Sequence, residues 1–419
     1  MVLFWILTAL GVFLMKKFNM NQQLILATAF CYFYYFAQSV ARNVYNTLTP
    51  FIVDFYGTSL TQSSVFTIAE NIGYVVIMFL VTIVADRIDK AWLLFGLGSI
   101  YSVMLLIMGN GPSFLLFLTS LFITGMLGRY MDTTCTAYIS DLYGENRNRY
   151  MSILLILFYI GSTLAPNLNT LLIEVMGKNW YTSYIVSGIL MGIGSIFYLV
   201  FLLTVKKPET AVRIKTRDKQ KKMNAITLLK NRNIASLCGN YIFNSFSVYF
   251  TSQLILFLSM TDSVKYSTAT RGFIATAGSV GLVVGSALYV WISKEMSADK
   301  YLRLEILVSF VFNLLGLLIN KPFFWALTRF LSSAIGGGRF TARTLLCCEE
   351  YPEYSSSAIA VVSLTSGITS IIATPLLNML ADATSFRFAM YFSLFFSIGA
   401  WAMLKFGYVP HGASVYNKE

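Results

Sequence analysis

Arg42, Glu70, Arg129, Asp132, Arg329, Arg339 and Arg343 are ionisable side chains set inside long apolar stretches. Near the centre of a bilayer such a group costs at least ~2.5 to 3.5 kcal/mol, so each must face water, a partner or a ligand, and each is a functional candidate. Arginines outnumber acids in this set. Guanidinium stays charged when dehydrated and pairs bidentately with carboxylate or phosphate, so the excess favours an anionic ligand. Arg42 is the first choice for a ligand contact and Arg339 the second, while Arg343 falls nearer a helix end. Asp132 is the best proton carrier, because a buried carboxylate can load and release a proton as its access to water changes. Glu70 is the second proton candidate. Arg129 stands three residues from Asp132 on one helix, where the pair can also simply neutralise each other. Gln38, Asn43 and Asn46 flank Arg42, and Asn240, Asn244, Tyr249 and Gln253 offer further donors and acceptors for a polar solute. Asn240 and Asn244 share a helix face at i, i+4.

The elements that must carry these groups are apolar runs of bilayer length. They begin near residues 24, 63, 91, 114, 150, 182, 235, 270, 302, 323, 355 and 386, and each continues for about 20 to 27 residues. The fold class they define is an all-α polytopic membrane protein: twelve transmembrane helices as two pseudo-symmetric six-helix bundles, plus a short N-terminal hydrophobic segment. Composition agrees, with 56% hydrophobic and 12% charged residues, against about 25% charged in globular domains. Mean hydropathy is +0.66. The expected organisation is an N-terminal hydrophobic segment at 1–19, a first bundle at 20–205, a basic linker at 206–234, a second bundle at 235–408 and a tail at 409–419. Two readings of residues 1–15 fit equally: a short anchor lying in or across the bilayer, or an upstream start with Met20 as the beginning. Lys16 and Lys17 follow this run, which is the wrong charge order for a cleaved signal peptide.

The net charge of +12 does not point to nucleic acid, because most of the excess lies between apolar runs, where the positive-inside rule places it. The linker carries Lys206, Lys207, Arg213, Lys215, Arg217, Lys219, Lys221, Lys222, Lys230 and Arg232 against Glu209 and Asp218. That linker, and with it both ends of the twelve-helix body, should face the cytoplasm. Cys31, Cys135, Cys238, Cys347 and Cys348 lie within or at the ends of apolar runs without CxxC spacing, so neither disulfides nor a metal site are expected. The single histidine, His411, lies in the tail, which argues against a nucleophile–histidine–acid set. Gly278, Gly281 and Gly285 and the run Gly336–Gly338 follow no strand and precede no Gly-Lys-Ser/Thr, so they read as close-packing or bending points rather than a phosphate loop. Neither an enzyme nor a cofactor is expected.

The chain also repeats weakly at half length. Gly128, Asp141, Tyr143 and Glu174 align with Gly336, Glu349, Tyr351 and Asp382 at one constant offset, and Pro166 meets Pro375 within one residue. Parallel repeats joined by a long loop suit alternating access, in which two similar bundles rock about a shared site.

The six-plus-six pattern, the basic central linker and the run Val84-Ala85-Asp86-Arg87-Ile88-Asp89-Lys90 after the second helix resemble the major facilitator superfamily. The family form of that run has glycines where Val81–Val84 and Asp89 stand here. The resemblance implies that Asp86 acts on a neighbouring helix terminus and Arg87 on a carboxylate, latching one side of the first bundle, with Arg129 grouped with them in gating. It further implies that the first, fourth, seventh and tenth helices line a central cavity, which would bring Arg42, Arg129, Asp132, Arg339 and Arg343 to it. Within the superfamily, Tyr34-Tyr35-Phe36-Ala37-Gln38-Ser39-Val40-Ala41-Arg42-Asn43, then Pro50, is similar to the first helix of organophosphate:phosphate antiporters, with Arg42 in the phosphate-binding place. Asn244 stands about where those proteins carry a second arginine. Met126–Pro166 and Asn46–Pro50 resemble fucose-type sugar:proton symporters.

The expectation is a multi-pass carrier of a bacterial inner membrane, monomeric by superfamily default. It moves a small organic anion, a carboxylate or phosphorylated metabolite, through Arg42, Gln38, Asn46, Asn240, Asn244 and Arg339. Its partner is a proton, through Asp132 or Glu70, or a counter-transported anion. A neutral or zwitterionic solute (sugar, nucleoside, amino acid), drug efflux, and a non-transporting receptor on the same fold are the alternatives.

Overall fold

The computed structural model describes residues 20–84, 89–143, 147–204, 228–260, 265–350 and 355–409. The N-terminal segment 1–19, the Asp86–Arg87 pair, most of the 206–234 linker and the tail beyond Val409 lie outside the described residues. The first-half helices are α1 (Met20–Tyr56), α2 (Leu60–Val84), α3 (Lys90–Met108), α4 (Phe114–Tyr143), α5 (Arg147–Thr170) and α6 (Thr182–Thr204). The second-half helices are α7 (Arg232–Met260), α8 (Thr268–Ile292), α9 (Ala298–Ile319), α10 (Pro322–Gly336), α11 (Arg339–Glu350), α12 (Ser355–Ala383) and α13 (Phe386–Ala402). Single π turns, Leu171–Val175 and Met403–Gly407, finish α5 and α13.

Among the described residues, ten helices are long and apolar enough to cross a bilayer. Their outer faces expose Leu115, Val175, Leu203 and Trp291, which is tolerable where the surrounding medium is hydrocarbon and every backbone group is satisfied within a helix. The tenth apolar run is not one helix. It breaks between α10 and α11 at Gly337 and Gly338, where a Cβ would collide with the backbone of Gly285 in one case and the ring of Tyr289 in the other. Glycine is itself a weak helix former, by ~1 kcal/mol relative to alanine, so the break and the close approach share one cause.

The chain divides into two compact units. Unit 1 comprises Met1–Leu48 and Ile72–Gln220. Inside it α3 packs on α4 and α6, and α4 on α5. Tyr34 fastens α1 to this group: its hydroxyl donates to the Leu94 carbonyl at 2.8 Å and meets Met131 Sδ at 2.8 Å, while its ring stands edge-on to Tyr198 at 5.3 Å. Asn169 Nδ2 ties α5 back to the Val44 carbonyl at 3.1 Å.

Unit 2 comprises Thr49–Asn71 and Lys221–Glu419. The α8–α10, α7–α13 and α7–α12 pairs form its frame. Trp325 is fully buried between Phe250 and Phe257, and its indole N–H donates to Asn320 Oδ1 at 3.0 Å. Asn320 ends α9 in the left-handed region, φ 45°, which asparagine tolerates better than most residues. The strap Thr49–Asn71, which is first-half sequence, is knitted into this unit. Asn378 of α12 donates to the Leu60 carbonyl and to Ser64 Oγ, each at 2.8 Å, and accepts from the Tyr249 hydroxyl at 2.6 Å. Asp382 accepts from Thr61 N at 2.9 Å and Thr61 Oγ1 at 2.6 Å. An acidic side chain from more than 300 positions away thus caps the first turn of α2, where free N–H groups and the helix dipole favour negative charge.

Candidate functional site

In unit 1, α1 turns Gln38 and Arg42, four residues apart, toward α4, which presents Gly128 and Asp132 at the same spacing. The two faces lock together through one carboxylate. Gln38 Nε2 donates to the Gly128 carbonyl at 2.8 Å and to Asp132 Oδ1 at 2.7 Å. Arg42 Nη1 lies 3.0 Å from Asp132 Oδ2, and Arg129 Nη1 lies 3.7 Å from the same oxygen. Arg129 also lays its guanidinium over the Tyr74 ring at 4.6 Å. Two cations therefore share one anion, and the group carries one net positive charge. It is not sealed: the side chains of Arg42, Asp132 and Arg129 remain 26%, 19% and 41% exposed. Arg42 is thus the closer partner of Asp132, although Arg129 is nearer in sequence.

Such a cluster can exchange partners. A carboxylate or phosphate group could make the same contacts to these guanidiniums that Asp132 makes. Charge-assisted hydrogen bonds of this kind are roughly twice as strong as neutral ones, so the trade is not small.

The other sequence-predicted residues take varied positions. Asn46 is exposed on α1 and Asn43 donates to its own helix at Ser39 O, 2.9 Å. Glu70 is half-buried on α2 and belongs to unit 2. Asn240 is buried and donates to the Ala400 carbonyl at 2.8 Å, joining α7 to α13, while Asn244 is half-buried one turn later. Arg339 opens α11 and donates from Nε to Glu305 Oε1 at 2.9 Å. Asp86 and Arg87 lie outside the described residues.

Glu305 is the group that sequence reasoning missed. It is fully buried on α9, bonded by Arg339 and by the Ser309 hydroxyl at 3.1 Å. The ninth apolar run begins near 302, which makes Glu305 look like a terminal charge. The helix in fact begins at Ala298, so Glu305 lies two turns inside. Its neighbours Asp299 and Arg303, which do pair near the terminus, masked it. Arg271, buried on α8 and stacked on Phe51 at 5.5 Å, was also passed over, as a charge at the edge of a run.

A polytopic helical body in two units, with charged groups paired inside its apolar helices, is the architecture of a membrane transporter. The chain belongs to the Major Facilitator Superfamily, whose family model matches residues 28–261 and 237–418. Among curated proteins it is similar to the Protein TsgA homolog of Buchnera aphidicola subsp. Schizaphis graminum (strain Sg), with 28% identity over 211 residues, 49% of this chain and 52% of that protein. The chain thus spans about half the length of the curated relative it matches. Solved structures with a similar fold include a bacterial homolog of the human lysosomal transporter Spinster, inward-facing and unoccupied, at TM-score 0.69 and 14% identity over 93% of this chain and 97% of that one. The nucleoside transporter NupG follows at TM-score 0.68 and 13% identity, covering 90% of this chain and 99% of that one. The E. coli fucose:proton symporter FucP matches at TM-score 0.64 and 14% identity, covering 93% and 100%. At these identities the likeness is one of fold. The protein is a transporter rather than an enzyme.

Proposed function

We propose that this transporter moves a small organic anion, a carboxylate or phosphorylated metabolite, by alternating access, with Arg42 as the principal anion contact and Asp132 as the proton carrier. The observation that carries this reading is the cluster of two guanidiniums on one carboxylate, partly open to water. In the resting pair Asp132 satisfies Arg42. A proton on Asp132 releases Arg42, and the anion then takes the carboxylate's place. Proton and anion enter together, and for a monovalent anion the charge of the loaded cluster is unchanged by the exchange. Exchange of one anion for another uses the same contacts without the proton.

Gln38 holds Asp132 in place and supplies a polar contact beside it. Asn46, Asn240, Asn244 and Arg339 complete the substrate set in this reading, and Glu70 is the second proton site. Asp86 and Arg87, with Arg129, form the gating group. The protein acts as a monomer in a bacterial inner membrane, with both ends of the twelve-helix body in the cytoplasm.

The test is thermal unfolding of purified protein against phosphorylated, carboxylated, neutral and cationic metabolites, in wild type and Arg42→Ala. Stabilisation grows as RT ln(1 + [L]/Kd), so concentrated ligand reveals even millimolar binding. Anion hits that vanish in Arg42→Ala support the reading. Hits confined to neutral compounds sink it in favour of a nucleoside or sugar carrier, the solute classes named for NupG and FucP. Counterflow of a labelled hit in vesicles separates a carrier from a receptor, since a receptor binds but exchanges nothing.

A further inference from the structure

We propose that Arg343 is the centre of a second anion site, contained within unit 2, that takes one acceptor atom of a small monovalent anion: a carboxylate oxygen or a halide. This does not rest on the Arg42 reading, because the groups concerned are all in unit 2.

Arg343 lies on α11, one helical turn beyond Arg339, and is only 5% exposed. Its guanidinium is stacked on the Tyr241 ring of α7, 4.5 Å from the centroid. The stack fixes the plane and leaves the edge of the fork, where the N–H bonds point, as the place for a partner. Among the described residues, Nε and Nη2 are buried and have no hydrogen-bond acceptor. Arginine cannot shed its proton to escape this. A buried cation needs a counter-charge as well as hydrogen bonds. The buried carboxylate on the neighbouring helix, Glu305, is bonded by Arg339 through Oε1, and no hydrogen bond joins its Oε2 to Arg343.

A cavity meets Arg343. Its volume is about 10 Å³, and Tyr241, Thr344, Cys347, Val362 and Ser363 line it beside Arg343. No carboxylate is among the lining residues. Space of this size admits about one water-sized atom. Such a space suits a guest that inserts a single small acceptor. Water would meet the donors without adding a counter-charge; a carboxylate oxygen or a halide supplies both. The arginine that sequence reasoning placed last thus has a ligand-sized space and two unused donor atoms, whereas Arg339 is already matched by a protein carboxylate.

The test is thermal unfolding of the full-length purified protein in sodium formate, sodium chloride and sodium isethionate at equal ionic strength, in wild type, Arg343→Gln, Tyr241→Leu and Arg42→Ala. Formate and chloride probe the two sources of the same chemistry, and isethionate carries a bulkier sulfonate that should bind less well. The expected result is a saturable shift of roughly 1 to 2 °C with formate or chloride at ten times Kd in wild type and in Arg42→Ala, with the apparent Kd raised at least tenfold in Arg343→Gln. A shift with formate alone assigns a carboxylate guest; a shift with chloride assigns a halide-sized one. Equal behaviour in all three salts, or a shift that survives in Arg343→Gln, overturns the proposal. If Arg343→Gln does not fold, Tyr241→Leu decides: it keeps the guanidinium but frees its plane, so the apparent Kd should rise severalfold, and an unchanged Kd overturns the site.

Discussion

Replacing Asp132 with asparagine should tighten anion binding and abolish proton-driven accumulation. Asparagine keeps the volume and still offers an oxygen to Gln38 Nε2, now 2.7 Å from Asp132 Oδ1, so α1 and α4 remain joined. What changes is charge: the cluster of Arg42, Arg129 and residue 132 goes from one net positive charge to two. An anion seated on Arg42 would lie about 6 Å from the carboxylate, where like charges repel by ~1.5 to 3 kcal/mol at an effective dielectric of 20 to 40. The 19% exposure of the Asp132 side chain favours the lower figure, because water screens partly open groups. Relief of ~1.5 kcal/mol is about a tenfold lower Kd. In the proposed mechanism the variant also loses the group that takes up the proton. Binding is read by thermal shift or calorimetry at fixed pH, and coupling by uptake into proteoliposomes with an imposed pH gradient. Counterflow should persist while accumulation stops. An unchanged or weaker affinity, or accumulation as in wild type, would refute the partner exchange at Asp132.

Asn378→Ala should lower stability by about 2 to 4 kcal/mol, because the buried Tyr249 hydroxyl loses its acceptor, Ser64 Oγ loses the amide donor, and Leu60 O keeps the Ser63 hydroxyl but loses its tie to α12; unaltered hydrogen-exchange protection of the first turn of α2 would count against the strap being held there. Glu305→Gln should cost about 3 kcal/mol, the low end for breaking a buried ion pair, since the Arg339 side chain keeps 31% exposure and can reach water. The paired Glu305→Gln, Arg339→Gln variant should recover part of that loss, and a double variant as poor as the sum of the two single ones would refute the coupling.

Much of this architecture is legible in the sequence, because apolar length is a strong signal when every backbone bond must close inside a helix. The charged members of the Arg42–Asp132 cluster were legible as candidates for a related reason: charge inside such a run is expensive enough to mark itself. Which cation holds Asp132 was not. Spacing pointed to Arg129 at i−3, whereas packing of α1 on α4 brings Arg42 closer. Glu305 failed through a boundary error of a few residues, which moved a buried charge to an apparent terminus. The break at Gly337–Gly338 was visible as a glycine run, yet its partners, Gly285 and Tyr289, come from a separate helix and no local pattern announces them. Helix existence is local information; pairing is not.

The strap at Thr49–Asn71 bears on how the molecule can be made. Asn378 and Asp382 reach Leu60, Thr61 and Ser64 across sequence separations of 318, 321 and 314 residues respectively. Unit 2 therefore cannot be completed from the stretch of chain that encodes most of it. During synthesis the strap emerges early and must wait, unsatisfied, until α12 has been inserted. A C-terminal fragment beginning in the linker would lack the groups that Asn378 and Asp382 bind, so severing the chain there should yield pieces that depend on co-expression rather than two self-sufficient bundles. The halves of the gene and the compact bodies of the protein are cut along different lines.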